Sequence, residues 1–103
     1  VPHADNKEHA MNYPKLAQHL LRGGDRHSSV YVEGLCAALK LRIEGEPTTV
    51  NYPQGSLEFD AYFHGCCRGA DEFRNALIEA NGDRTEAIAR LRAMTGDAER
   101  RAA

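Results

Sequence analysis

Residues 52–80, YPQGSLEFDAYFHGCCRGADEFRNALIEA, constrain this chain more than any other stretch. They open with a turn, Tyr52-Pro53-Gln54-Gly55, and continue into Ser56, whose hydroxyl suits a helix N-cap. Nothing then stops a helix until Asn81-Gly82. Phe59, Phe63, Cys66, Ala70, Phe73, Leu77 and Ala80 recur at alternating steps of four and three, an apolar seam sustained for three heptads. The same helix carries Ala61, Gly65 and Gly69 at intervals of four. A glycine inside a helix costs about 1 kcal/mol relative to alanine. Two of them therefore imply that something packs very close to this backbone.

The rest of the chain supplies three shorter helices. Tyr13-Pro14 begins the first, in which Leu16, Ala17, Leu20 and Leu21 form one apolar face and Gly23-Gly24 is the expected stop, near Arg22. His19 falls on its solvent side. Ser28 or Ser29 caps the second, expected over 30–44, with Val32, Leu35, Cys36, Leu39 and Ile43 facing inward and Gly34 and Ala38 four apart. Gly45-Glu46-Pro47 ends it, and Thr48-Thr49-Val50, with no second strand to pair with, reads as an extended linker. Asp83-Arg84-Thr85-Glu86 is a capping box opening a fourth helix, with Ile88, Leu91 and Met94 or Thr95 inward and Gly96 as its stop.

The expected fold is all-α: a small helical domain with a central antiparallel hairpin of helices 30–44 and 57–80 and a short helix on each side. The third helix would span about 36 Å, longer than its partner covers. Phe59, Phe63, Phe73 and Leu77 are therefore expected to form an interface, either with the fourth helix or with a second copy in a homodimer. Residues 1–10 are polar and aperiodic, and Met11 looks like a natural start, so they read as a disordered leader or an expression remnant. Residues 97–103 read as a disordered tail, leaving 11–96 as one helical domain.

Composition bounds function. The 103 residues allow one domain, and a formal charge of −2 gives no global attraction to nucleic acid or an acidic membrane. Ten of the 13 basic residues are arginine. Three cysteines, two of them adjacent, do not form a disulfide framework. No apolar run approaches membrane-spanning length and no signal peptide is visible, so a cytoplasmic setting is expected.

Few constellations carry chemistry. His64 and Cys67 lie three apart on a helix and could share a metal, but two ligands do not make a site and Cys66 belongs to the seam. A Cys–His nucleophile pair would sit mid-helix, away from the positive N-terminus that lowers a thiol pKa. Glu58 and Asp60 point to different faces and suit the first turn better than acid–base work. No catalytic residue, metal or cofactor is therefore expected. Arg84, Arg90, Arg92, Arg100 and Arg101 are offset by nearby acids and have no aromatics between them, which fits a solvated face. Tyr52 and Tyr62 flank the turn, where a ring either covers a core edge or stacks on a base.

The turn and its flanking helices resemble the ribosome modulation factor family. The matching residues are Tyr52-Pro53-x-Gly55-Ser56, then Tyr62 six residues and Gly65 nine residues after the serine; upstream, Glu33-Gly34-Leu35-x-Ala37-Ala38 is similar to the family's small-residue helix. The resemblance covers residues 30–75. It departs at Val50-Asn51, where the family has Cys-Pro, and at Cys66, where it has a second aromatic. The linker is also about three residues longer, and the family's strong basic charge is missing. The resemblance implies a helix–turn–helix unit and a non-enzymatic, ribosome- or RNA-associated regulator using Tyr52, Tyr62, Arg68 and Arg74. The alternative is a phage- or plasmid-borne regulator or inhibitor that binds a single protein partner through an exposed helical face.

Overall fold

The structure, a computed structural model, describes residues 11–24 and 26–102, with side chains as far as Gly96. Four helices follow one another: α1 (Tyr13–Leu20), α2 (Ser29–Glu44), α3 (Leu57–Glu79) and α4 (Arg84–Ala102). The described residues contain no strand, so the chain is all-α. None of these helices is long and apolar enough to cross a membrane. The expected leader, residues 1–10, lies outside the described residues.

Local signals set the helix ends. Asn12 Oδ1 accepts the Lys15 N–H at 3.1 Å and starts α1. Ser28 Oγ accepts the Tyr31 N–H at 3.1 Å and starts α2. Ser56 Oγ accepts the Phe59 N–H at 3.0 Å and donates to the Pro53 carbonyl at 2.7 Å, locking the turn to α3. α2 stops at Gly45, whose φ of 75° lets its N–H reach back to the Leu41 carbonyl at 2.9 Å. α3 stops where the Gly82 N–H returns to the Leu77 carbonyl at 2.8 Å.

Three boundaries differ from expectation. α1 ends at Leu20, two residues before Arg22. Only half of the capping box forms: Asp83 Oδ1 accepts the Glu86 N–H at 3.0 Å, but the Asp83 N–H goes to the Ala80 carbonyl and the Glu86 carboxylate pairs with Arg90. α4 runs through Gly96 to Ala102, past the expected stop. A lone glycine lowers helix propensity by about 1 kcal/mol, too little to end a helix without a cap.

One core joins all four helices. Leu16, Leu35, Leu39 and Leu91, one or two from each of α1, α2 and α4, are fully buried; α3 adds Phe73 and Ala76, and its C-cap adds Ala80. Each buried leucine contributes roughly 1.5–3 kcal/mol. Polar ties hold the periphery. Arg68 Nη2 donates to the Leu20 carbonyl at 3.2 Å, fastening the end of α1 to α3. Arg84 Nη2 donates to the carbonyls of Arg42 and Ile43, both at 2.9 Å, fastening the start of α4 to the end of α2. The buried Tyr13 hydroxyl donates to Glu44, tying the start of α1 to the same place.

The central pair, α2 and α3, is present, but its direction differs from the expected antiparallel hairpin. Tyr31 lies against Gly65, Leu35 against Gly65 and Gly69, and Ala38 against Gly69. Partner numbers rise together, so the two helices run the same way. The connection explains how: residues 45–56 double back along the pair. On the way Thr48 Oγ1 meets the Tyr62 hydroxyl at 3.1 Å and the Tyr52 hydroxyl donates to Glu33 Oε1 at 2.7 Å. Twelve extended residues reach up to about 40 Å, more than the roughly 24 Å length of α2. A tight turn, which would force antiparallel packing, is absent.

The contact face of α3 is also rotated from the apolar seam. The buried residues are Tyr62, Gly65, Gly69, Phe73 and Ala76. An ideal Cβ on Gly65 would stand 2.0 Å from the Tyr31 carbonyl oxygen, and one on Gly34 would stand 2.1 Å from that of Tyr62. The glycines therefore lie inside the contact, and the backbones touch. Phe59, Cys66, Ala70 and Leu77 fall on the flank and are half-buried, while Phe63 is 56% exposed. Phe73, expected at an interface, belongs to the chain's own core.

Candidate functional site

The 45–56 connection and the outward flank of α3 enclose an apolar groove of about 260 Å³. Its floor is Ala37, Ala38 and Tyr62, one wall is Leu41 of α2 with Pro47 and Val50 of the connection, and the other is Cys66 and Ala70 of α3. Leu41 and Val50 are 45% and 42% exposed, high for large aliphatic side chains with no partner. Arg42 is the charged residue at the rim. The groove exists because α2 and α3 are parallel: the returning connection lies beside the pair and leaves a furrow between itself and α3.

The structure distributes the expected contact residues over different surroundings. Tyr62 is buried, its hydroxyl on Thr48 and its ring 6.0 Å from that of Tyr52. Tyr52 is half-buried, and its hydrogen bond to the Glu33 carboxylate, more than burial, pushes its phenol pKa up. The pair covers a core edge. Arg68 is bound to the Glu72 carboxylate at 2.7 Å as well as to Leu20, and the Glu72 bond raises its pKa further. Arg74 is exposed, paired with Asp71 at 3.2 Å on the solvent side of α3. Tyr52 and Tyr62 come together, whereas Arg68 and Arg74 are held separately.

The thiols do not converge on a reactive centre. Burial pushes the pKa values of Cys36 and Cys66 up, opposite to what a nucleophile needs. Cys67 and His64 are exposed on α3. Among the described residues no three His, Cys, Asp or Glu side chains gather as a metal site requires. No buried side-chain nitrogen or oxygen there lacks a hydrogen-bond partner.

Leu41, Pro47 and Val50 escaped sequence reasoning. Leu41 carried a signal, because it is a large apolar residue off the inward stripe of Val32, Leu35, Cys36, Leu39 and Ile43. Pro47 and Val50 carried none, since only the parallel packing brings the connection beside α3. No family model, no curated protein and no solved structure matches this chain.

Proposed function

We propose that this chain is a non-enzymatic binding module that seats an apolar segment of a protein partner in the groove between the 45–56 connection and α3. One observation carries this reading: the groove is preformed, apolar, and walled by the exposed Leu41 and Val50. Arg42 at its rim favours a partner segment with an adjacent acidic residue. Burial raises the thiol pKa values of Cys36 and Cys66, which disfavours these two as nucleophiles.

A ribosome- or RNA-associated role is the second reading. The observation behind it is the Tyr52–Ser56 turn, whose Gly55 φ of 87° and Ser56 cap give the turn that the resemblance requires. Its proposed contacts are Tyr52, Tyr62, Arg68 and Arg74, of which Arg74 is exposed and paired with Asp71.

The test is capture of partners from bacterial lysate by the wild type and by Leu41→Glu and Val50→Glu, with and without nuclease and high salt. A protein retained through both treatments and lost by both variants supports the groove. Ribosomal particles that are lost on nuclease or salt treatment, and retained by both variants, would replace it with the RNA reading.

A further inference from the structure

The solvent side of α3, opposite its contact with α2, carries a second pattern. Asp60, Phe63, Cys67, Ala70 and Arg74 follow one another at steps of three and four, so they share one stripe. Four are exposed and Ala70 is half-buried. The stripe is nearly symmetric about Cys67. Asp60 lies seven residues before it and Arg74 seven after; Phe63 lies four before and Ala70 three after. Asp60 has no side-chain partner among the described residues, and Arg74 is held only by Asp71, on the helix surface. At the two ends stand Leu57, 84% exposed, and Ile78, 66% exposed, ten and eleven residues from Cys67.

We propose that a second copy of this chain covers this stripe, α3 packing antiparallel against α3 with the two-fold axis beside Cys67. In that register Asp60 of each copy lies level with Arg74 of the other, two helical turns from the axis. Phe63 falls over the small Ala70, a knob meeting a hole, and Leu57 meets Ile78. At the edge His64 comes level with Asp71. Every charge on the stripe thus faces an opposite charge or an imidazole, and every large apolar side chain faces an apolar one. A parallel pairing would place Asp60 on Asp60 and Arg74 on Arg74, and like charges in an interface are strongly unfavourable. A surface that complements itself under a two-fold rotation is the condition for an isologous dimer. The stripe adjoins the groove at Ala70, which also lines the groove's α3 wall, while Leu41 and Val50 lie on the other side of the groove.

Sedimentation velocity over a concentration series, with helicity followed by circular dichroism, tests the arrangement. The wild type should dimerise. Asp60→Arg or Arg74→Asp alone should weaken self-association by about ten-fold or more, and the double reversal should restore it, which a merely misfolded variant could not do. The register is tested in the Cys36→Ser/Cys66→Ser background. Diamide, which takes up the two thiol hydrogens, should join Cys67 to Cys67 as a covalent dimer. The same background with Cys67→Ser and Asn75→Cys, on another face of α3, should not cross-link. A monomer at every concentration overturns the proposal. So does a dimer indifferent to both charge reversals, or one that traps equally well at position 75.

Discussion

Gly34 and Gly65 occupy each other's helices reciprocally. A Cβ on Gly34 would strike the carbonyl of Tyr62, three residues before Gly65; a Cβ on Gly65 would strike the carbonyl of Tyr31, three residues before Gly34. The obstacles are backbone atoms at 2.1 and 2.0 Å, which cannot swing aside as a side-chain tip can. Gly34→Ala and Gly65→Ala should therefore each destabilise the chain by about 3 kcal/mol, the upper end of ordinary overpacking, despite a propensity gain of about 1 kcal/mol. Urea unfolding of each variant measures it. Stability equal to the wild type would mean that the helices do not touch here.

Gly96 makes the opposite case. It lies inside α4, its φ is not positive, and a Cβ there would meet nothing within 4 Å. Gly96→Ala should stabilise the chain by about 0.5–1 kcal/mol through helix propensity and a less flexible unfolded state. The same urea titration reads it. The contrast in sign between positions 34 and 96 separates close packing from intrinsic preference.

These two glycines also mark what the sequence made legible. Ser28, Gly45, Ser56, Asp83 and the Asn81-Gly82 pair act through neighbours within a few residues, so helix number and most boundaries could be read directly. The phase of α3 could not be read from apolarity. Phe59, Phe63, Cys66 and Ala70 outweigh glycine on any hydrophobic scale, yet Gly65 and Gly69 take the buried face because backbone contact needs them. The spacing of Ala61, Gly65 and Gly69 held that information, and it was legible as close packing without saying against which face. The direction of α2 relative to α3 depends on the path of residues 45–56, fixed by Thr48–Tyr62 and Tyr52–Glu33, contacts across 14 and 19 residues. The groove depends on that path, so Pro47 and Val50 could not be recognised in advance.

Arg84 is a cation in the first turn of α4, where the helix dipole disfavours it by about 0.3–1 kcal/mol. It is kept there by the Arg42 and Ile43 carbonyls at the negative end of α2. Charge-assisted hydrogen bonds contribute about 1.5–3 kcal/mol, less for an exposed group such as this. Arg84→Ala should cost about 1 kcal/mol, and amide exchange should quicken in the last turn of α2 more than in its middle. Uniform acceleration along α2 would point to global destabilisation and not to loss of this tie.

Tyr13 makes the fold sensitive to alkali. Its phenol is buried and donates to the Glu44 carboxylate; burial first, and then that hydrogen bond, push its pKa well above the ordinary tyrosine value. The folded chain thus holds the phenolic proton more tightly than the unfolded chain does. The stabilisation is complete below about pH 10, where an unfolded tyrosine begins to ionise, and is lost as pH rises towards the folded value. Tyr13→Phe keeps the ring and loses the hydroxyl, so at neutral pH it should be less stable by about 1 kcal/mol. Above about pH 10 the wild type should lose that advantage and the two unfolding curves should converge. Taking the difference between the proteins cancels Tyr52, whose phenol is also shifted upward by Glu33, and every other group that titrates in both. A gap that stays constant into alkaline solution would show that Tyr13 does not hold its proton against Glu44.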